Sequence, residues 1–278
     1  MRVLTYNIHG WRGQDNRFDV PRLARIIRES GAGLIALNEV FHPLVHSGSE
    51  QPALDQLAEM LGMTYAFGPA LTPQLAFAPH SAYGNALVTR YKLLAHASHH
   101  LTPVEGHEQR GLLEARVLLD DGTPPLSVYV THLDYKSEEV RMKQVRALLQ
   151  WTLRDRIRPH LLLGDFNALA PEDYRGRAAE LAALQRHERL CSRLGDPIQV
   201  LPRLVKAGYV DGAAGKGVGQ STFPSDEPRV RIDYILASSA LAPALVKTVR
   251  FETDETAIAS DHYPVIAEFD WSSIAGSG

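Results

Sequence analysis

Polar side chains of the kinds that bind metal ions and phosphate follow several apolar runs of this sequence. The clearest case is the run of leucines after His160, which leads into Gly164-Asp165-Phe166-Asn167. The leucine run is typical of a strand buried on both faces, although a buried helical segment would have the same composition. Gly164 permits a tight turn, after which Asp165 and Asn167 could hold a water molecule or a phosphate oxygen. Asp, Asn and Gly are also the usual turn residues, so this segment alone leaves both interpretations open.

The same pattern recurs along the chain, and the recurrence favours the functional interpretation. Asn7, Glu39 and His132 each follow or end a predicted strand, whereas Asp233 interrupts one. Charged side chains rarely enter strands unless they are paired or bound to a metal ion. The candidate functional residues are therefore Asn7, Glu39, His132, Asp165, Asn167, Asp233, Asp261 and His262.

This set of residues supplies many oxygen ligands and no sulfur ligand. Mg²⁺ and Mn²⁺ prefer carboxylate, carbonyl and water oxygens, and Glu39 suits that role. Asp233 and His262 form a natural pair for phosphate chemistry, because a carboxylate raises the pKa of an imidazole and keeps it cationic. Asp165 would then remain available to orient or deprotonate water. A serine hydrolase is less favoured, because the sequence has no Gly-x-Ser-x-Gly motif.

Two predicted strand–helix–strand units must position these side chains. The first spans residues 2–39, with Asp19 as the N-cap of its helix and Gly31 at the helix end. The second spans residues 126–167, with Ser137 as the N-cap of its helix. The units repeat in architecture but not in sequence. This repeat suggests two related halves of one domain, with both sets of strand ends converging on one cleft.

Two further motifs invite a functional interpretation that their surroundings do not support. His96 and His100 have the i,i+4 spacing of helical zinc ligands, but no third ligand is placed nearby and the flanks look like strand and loop. The glycine-rich residues 212–219 resemble a phosphate loop, but Gly217 follows Lys216 where a hydroxyl residue is needed. We interpret the first as a solvated segment and the second as a mobile loop near the substrate.

Composition limits the remaining possibilities. The chain has 278 residues, 45% of them hydrophobic, which is enough for a substantial core. We expect a single domain over residues 1–271 and a flexible tail over residues 272–278. The net charge of −3 gives no sign of a long basic surface for nucleic acid, although a local basic patch is compatible with it.

The expected location is the cytoplasm. Cys191 is the single cysteine, so no intramolecular disulfide can form. No signal peptide precedes the first strand, and no apolar run is long enough to cross a bilayer. We expect a monomer without a transmembrane segment.

The ordered set of motifs resembles the endonuclease/exonuclease/phosphatase superfamily, also called deoxyribonuclease I-like, over almost the whole chain. This resemblance implies an α/β (α+β) four-layer sandwich, in which two packed mixed β-sheets are flanked by helices. It also implies a metal-dependent phosphoesterase. The motifs are Thr5-Tyr6-Asn7-Ile8-His9-Gly10, Leu37-Asn38-Glu39-Val40, Tyr83-Gly84-Asn85, Thr131-His132-Leu133, Gly164-Asp165-Phe166-Asn167, Arg231-Ile232-Asp233-Tyr234 and Ser260-Asp261-His262.

The resemblance implies a role for each matched residue. Glu39 would bind Mg²⁺ (or Mn²⁺), with Asn7 beside it and Asp261 either as a further ligand or as a support for the ligands. Asp165 would activate the attacking water for in-line attack and Asn167 would position the phosphate or the nucleophile. His132 and His262 would contact phosphoryl oxygens, and Asp233 would orient His262. The expected substrate contacts are Tyr83, Asn85 and Arg110. Asn38 stands where the family usually has Gln.

The resemblance leaves three hypotheses about the function. The first is a Mg²⁺-dependent phosphodiesterase of the endonuclease/exonuclease type, acting on nucleic acid. The second is a phosphoesterase acting on a lipid headgroup, as sphingomyelinases do, or on a small phosphorylated metabolite. The third is a catalytically inactive binding module, against which the complete residue set argues. A basic rim on the cleft would favour the first hypothesis, and an apolar rim would favour the second.

Overall fold

The computed structural model describes residues 1–46, 48–76, 78, 80–120, 123–187, 190 and 197–272. The helices are α1 (Val20–Ser30), α2 (Ala53–Leu61), α3 (Glu138–Thr152), α4 (Ala178–Gln185), α5 (Val200–Lys206) and α6 (Thr256–Ala259). The strands are β1 (Arg2–Asn7), β2 (Leu34–His42), β3 (Thr64–Leu71), β4 (Ala82–Thr89), β5 (Lys92–His100), β6 (Gly111–Leu118), β7 (Leu126–His132), β8 (His160–Asp165), β9 (Tyr209–Asp211), β10 (Asp233–Ser238), β11 (Leu245–Arg250) and β12 (Val265–Phe269).

The strands form two mixed sheets with the same internal plan. The strand orders are β11-β12-β1-β2-β4-β3 and β5-β6-β7-β8-β10-β9. Each sheet is centred on one parallel pair, β1 with β2 and β7 with β8, and the flanking pairs are antiparallel. These pairs belong to the two predicted strand–helix–strand units, so the architectural repeat is confirmed.

The two sheets pack face to face, and helices cover their outer faces. Val128, Leu161 and Leu163 point into the apolar cluster between the sheets. Leu162 points the other way, into the cluster under α3 and α5. The leucine run before Asp165 is therefore buried on both faces, as predicted. The expected four-layer fold is confirmed.

The helix boundaries that position the parallel strands follow from local sequence signals. The Asp19 side chain accepts a hydrogen bond from the backbone N–H of Arg22 at 2.8 Å, and Gly31 ends α1 in the left-handed conformation. Ser137 Oγ accepts the backbone N–H of Val140 at 3.4 Å at the start of α3. Both predicted N-caps are confirmed.

Two strand boundaries differ from the predicted ones. β2 does not end before Glu39 but continues to His42, with a bulge between Leu37 and Val40. Glu39 adopts a positive φ of 60° in this bulge, and local sequence pattern carries no signal for that geometry. Asp233 does not interrupt a strand; it is the first residue of β10.

The histidine-rich segment lies in β5, which ends at His100 and is followed by a loop from Leu101, as predicted for the two flanks. Its pairing with β6 places His96 and His100 on one face of β5, both exposed. Strand residues four apart are separated by about 13 Å, which is too far for two ligands of one metal ion. The prediction against a zinc site therefore agrees with the geometry.

The ends of the chain add little to this framework. Met1 donates its terminal ammonium to Phe269 O at 2.6 Å, which ties β1 to the end of β12. Within the described residues, no helix combines the length and the apolar composition that crossing a bilayer requires. Apart from Ser272, the expected flexible tail lies outside the described residues.

The turn after the leucine run depends on the glycine. Gly164 has φ of +135°, and an added Cβ would lie 1.9 Å from Thr131 O. Gly164→Ala is expected to lower the free energy of unfolding by about 3–5 kcal/mol, because backbone strain and a clash with a fixed carbonyl coincide. Gly62→Ala is the matched control, since Gly62 has φ of +64° but nothing within 4 Å, and should cost about 1–2 kcal/mol. Equal losses in urea unfolding would contradict this account.

Candidate active site

Most of the predicted site residues meet in one cleft at the edge where β1, β7 and β8 end. The cleft has a volume of about 270 Å³. Asn7 and Asp233 lie directly behind it, bonded to residues of its wall. The cleft is lined by His9, Glu39, Tyr83, Glu108, Arg110, His132, Tyr135, Asp165, Asn167, Asp261 and His262.

Asn7, at the end of β1, links the two sides of the cleft. Its Nδ2 donates to Glu39 Oε1 and to Asp165 Oδ2, both at 3.0 Å. Its Oδ1 accepts the backbone N–H of His9 at 3.1 Å, which fixes the orientation of the amide. The β2 bulge turns Glu39 toward this amide. A carboxylate from each sheet is thus held by one buried side chain.

Asn38 connects the sheets beneath the cleft. Its Nδ2 donates to Thr131 O at 2.9 Å and to Asn85 Oδ1 at 2.8 Å. Its Oδ1 accepts the backbone N–H of Asp165 at 2.9 Å. The amide that stands in place of the usual Gln is therefore fully bonded.

Asn85, an expected substrate contact, lies in this lower layer and not in the cleft. It is buried, and its Nδ2 donates to Gly111 O at 3.1 Å. The other amide atom accepts from Asn38. Because both ends of its amide bond to protein atoms, Asn85 supports the cleft from below. The expected substrate role is not supported by this position.

Asp233 and His262 form the predicted ion pair. His262 Nδ1 lies 2.9 Å from Asp233 Oδ2, which also accepts Thr222 Oγ1 at 2.6 Å. Burial alone would lower the pKa of His262, but Asp233, Asp165 and Asp261 together raise it to about 10. His262 is consequently an imidazolium at neutral pH, with its Nε2–H toward the cleft.

Asp165 lies between the two histidines. Its Oδ1 accepts the backbone N–H of Asn167 at 2.8 Å, and its Oδ2 lies 3.4 Å from His132 Nε2 and 3.7 Å from His262 Nε2. Burial, with the Asp233 carboxylate nearby, raises the pKa of Asp165 to about 7. A carboxyl group with a pKa near neutrality is suited to accept a proton from water.

Arg110 determines the tautomer of His132. Its Nη1 lies 3.1 Å from His132 Nδ1, and a guanidinium can only donate. His132 Nδ1 therefore accepts, and Nε2 carries the ring proton. Asn167 Nδ2 donates to Leu133 O at 3.2 Å, and its 3.1 Å approach to that Nε2 is a contact between two donors and not a hydrogen bond. Two N–H groups, from His132 and His262, thus flank Asp165.

Three cleft residues are absent from the prediction. His9 could have been predicted, because it lies next to Gly10 in the matched segment that follows Asn7. In the structure it has a positive φ of 47°. Glu108 and Tyr135 lie in loops without periodicity, which leaves no comparable signal. In contrast, none of the described side chains of the glycine-rich loop lines the cleft, and the backbone N–H of Gly215 donates to Asp173 Oδ1 at 3.0 Å outside the cleft lining. Its expected position near the substrate is not supported.

Two groups of side chains are candidates for holding a cation, and their protonation and exposure show which of them is the better site. Ligand atoms of Asp165, Asp233 and His262 lie within 4.8 Å of one another. A protonated His262 that is already bonded to Asp233 cannot offer a lone pair, so this group is a poor metal site. Glu39 and Asp261 are partly exposed carboxylates on the cleft wall. Such oxygen donors with access to water fit Mg²⁺ or Mn²⁺.

Several solved structures share the fold of this chain. A structure of an endonuclease/exonuclease/phosphatase from Beutenbergia cavernae is 22% identical, with a TM-score of 0.69 over 97% of this chain and 71% of that one. The 3′ phosphatase NExo from Neisseria, bound to a product DNA hairpin, is 20% identical, with a TM-score of 0.66 over 98% of this chain and 100% of that one. A mannosyl-6-phosphatase from Bacteroides thetaiotaomicron is 17% identical, with a TM-score of 0.65 over 96% and 98%.

These structural likenesses show the fold. A search among curated proteins gave no match. The family model of the Endonuclease/Exonuclease/phosphatase family matches residues 4–262, a range that includes every residue of the cleft. The chain belongs to the endonuclease/exonuclease/phosphatase family.

Proposed function

We propose that this protein hydrolyses phosphoesters with the help of a divalent cation, Mg²⁺ or Mn²⁺, held at Glu39. The observation that supports this proposal is that Glu39, Asp165 and His262 face one cleft, although they are far apart in sequence. A carboxylate for a cation, a base for water and a fixed positive charge for phosphate are then close together. A catalytically inactive binding module would have no need for all three.

Glu39 and Asp261 would hold the cation, with Asn7 orienting Glu39 through its amide. When bound, the cation would polarise a phosphoryl oxygen and offset its negative charge. A cation beside the cleft would also favour the ionised form of Asp165, whose pKa burial otherwise raises. Mg²⁺ typically takes one or two carboxylates plus substrate phosphate, which matches these two side chains.

The side chains around Asp165 suit in-line attack by water. Asp165 accepts a proton from the water, and Asn167 beside it orients the water or the phosphate. The Nε2–H groups of His262 and His132 donate to phosphoryl oxygens, where negative charge increases in the transition state. Asp233 keeps His262 cationic and fixes its ring. Burial raises the pKa of Tyr83 well above its ordinary value, so its hydroxyl remains a donor at the cleft wall.

The charges around the cleft favour a substrate that presents one phosphate. Arg110 Nη2 is paired with Glu108 at 2.9 Å, while Glu39 and Asp261 add negative charge. Lys136, over the ring of Tyr135, adds one cation beside the cleft. This mixture is not the basic rim that a long polyanion requires. We therefore extend the nucleic-acid hypothesis to nucleotides and strand ends, and retain small phosphorylated metabolites as the alternative.

Metal removal tests the proposal. Hydrolysis of bis-p-nitrophenyl phosphate should fall by about 100-fold or more in EDTA and return with added Mg²⁺ or Mn²⁺, because Glu39 alone offers no positive charge to the phosphate. Full activity in EDTA would overturn the metal-dependent mechanism. Activity on single-stranded DNA that falls steeply between 50 and 200 mM salt would indicate several phosphate contacts, and a shallow dependence would indicate one.

A further inference from the structure

A second pocket opens directly off the catalytic cleft. It has a volume of about 430 Å³, within the range of roughly 300–1,000 Å³ that is typical of small-molecule sites. It shares His9, Glu39, Tyr83 and Glu108 with the cleft. A group attached to a phosphate in the cleft can therefore enter this pocket without crossing a barrier of protein.

The walls of this side pocket are apolar, unlike those of the cleft. Apart from Gly10, Arg12 and the four residues shared with the cleft, they consist of Phe41, Leu71, Pro73 and Leu75. The Phe41 ring lies 5.0 Å from the ring of Tyr83, which lines both spaces. Among the described residues that line the cleft, none is aliphatic. Apolar surface thus begins where the phosphate-binding groups end.

The floor of the side pocket is held in place by buried contacts. His9, Gly10 and Trp11 all have positive φ, of 47°, 62° and 72°. This conformation is fixed because Trp11 is buried and its Nε1 donates to Phe41 O at 3.0 Å. Backbone strain of this kind persists only where the surrounding structure imposes it, often at ligand sites. The floor of the side pocket is therefore fixed by protein contacts alone.

Polar groups stand only at the edges of the side pocket. Arg12 is exposed and makes no ion pair with another residue of the described part of the chain. Glu108 and His9 lie at the border with the cleft. A flat heteroaromatic ring presents apolar faces and a polar edge, which matches this distribution. An alkyl chain offers no hydrogen-bonding group to the exposed Arg12, whereas the edge of a base does.

We propose that the side pocket binds a nucleobase attached to the phosphate in the catalytic cleft. This inference rests on the proposed function, and it makes the substrate a nucleotide or the end of a nucleic-acid strand. The faces of the base pack against Leu71, Pro73 and Leu75, while Arg12 and Glu108 meet its edge. Base stacking is tolerant of sequence because every base has a flat face. The pocket consequently selects for a base and not for one particular base.

Ligand binding is measured in the Asp165→Asn variant, in which hydrolysis in the presence of Mg²⁺ is slow while the groups that bind phosphate remain. Adenosine 5′-monophosphate, adenosine 3′-monophosphate, ribose 5-phosphate and octyl phosphate are titrated by calorimetry in the presence of Mg²⁺. At least one nucleotide should bind about five- to 150-fold more tightly than ribose 5-phosphate, the range expected for stacking of one base. Equal Kd values for nucleotides and ribose 5-phosphate would overturn the proposal, as would tighter binding of octyl phosphate.

Two substitutions at Leu75 test whether the preference for nucleotides arises in the side pocket. Leu75→Ala removes part of the wall and should lower the preference for nucleotide over ribose 5-phosphate by about fivefold. Leu75→Trp fills the pocket and should abolish the preference while ribose 5-phosphate still binds. Leu153→Ala is the control, because Leu153 is an exposed leucine in a separate groove of about 530 Å³ away from the cleft. An unchanged preference in both Leu75 variants would place the base elsewhere and overturn the assignment.

The two proposals fail independently. If bis-p-nitrophenyl phosphate is hydrolysed in a metal-dependent manner but nucleotides show no advantage, the side pocket assignment is wrong and the proposed function stands. If nucleotides bind with the predicted preference but no metal-dependent hydrolysis occurs, the proposed function is wrong and the pocket still recognises a base.

Discussion

Asp165→Asn is expected to lower kcat for phosphoester hydrolysis by about 10²- to 10⁴-fold, the range for loss of a general base. The substitution keeps the size of the side chain, and its Oδ1 can still accept the backbone N–H of Asn167. What it removes is the ability to take a proton from water. KM should change little, because His132, His262 and the cation ligands remain to bind phosphate.

The control for this variant is Asp254→Asn, since Asp254 is an exposed aspartate away from the cleft lining. It should retain wild-type kcat. A loss in Asp165→Asn of less than tenfold, with the unfolding midpoint unchanged, would exclude Asp165 as the base.

Asp165 should also leave a signature in the pH dependence of stability in the metal-free protein. Its pKa is about 7 in the folded state and near 3.8 when exposed, so the folded state binds more protons between these values. Its contribution to stability is therefore lost as the pH rises from about 4 to 7. Asp165→Asn lacks this loss, and its stability relative to wild type should increase over the same interval in EDTA.

The second large effect is expected from Asp233→Asn, which should lower kcat by about 10²- to 10³-fold at pH 8. Asp233 is the strongest of the carboxylates that raise the pKa of the buried His262. Without that charge, burial dominates and the pKa of His262 falls, so the imidazolium at the cleft is lost near neutrality. The Nε2–H positive charge that faces phosphate disappears with it.

The pH profile separates this effect from a simple structural defect. In the wild type His262 stays protonated up to about pH 10, so its loss should affect kcat only in strongly alkaline solution. In Asp233→Asn the alkaline fall should move to lower pH, and activity should recover partly on acidification. NMR titration of the His262 ring reports the same change without catalysis. An unchanged His262 pKa in the variant would refute the role of Asp233.

The ion pair between Asp233 and His262 also makes the stability of the fold depend on pH in a predictable direction. The pKa of His262 is raised from an ordinary 6.5 to about 10, so its stabilising contribution is complete below about pH 6.5. That contribution decreases as the pH rises through 10. Asp233→Asn should remove most of this pH dependence.

The side-chain pattern predicted the two strand–helix–strand units and a shared cleft, and the resemblance of the ordered motifs predicted the four-layer fold. Alternating and continuous apolar runs identify the paired strands, and caps at Asp19 and Ser137 identify the helices. The cleft follows because the carboxyl ends of parallel strands point the same way. Local pattern could not show that Glu39 sits in a bulge, since that depends on how β2 pairs with β4.

The sequence could not show that two aspartates at the ends of neighbouring strands have different roles. Asp134 follows β7 much as Asp165 ends β8. The structure directs the Asp134 carboxylate to the backbone N–H groups of Lys136 and Ser137, at 2.8 Å, and to His107. Asn85 likewise matches a motif but serves the layer below the cleft. In both cases the partner is distant in sequence, so the tertiary fold decides the role.

The Asn38 amide has a consequence for how the two halves of the molecule move. It joins the strand that carries Glu39 to the strand that carries Asp165, through one short polar side chain. Any sliding of one sheet over the other would have to break these bonds as it altered the spacing between the cation ligand and the base. The distance between Glu39 and Asp165, on which hydrolysis depends, is therefore maintained by the Asn38 cross-link between the sheets. Weakening this cross-link should slow the reaction while substrate still binds.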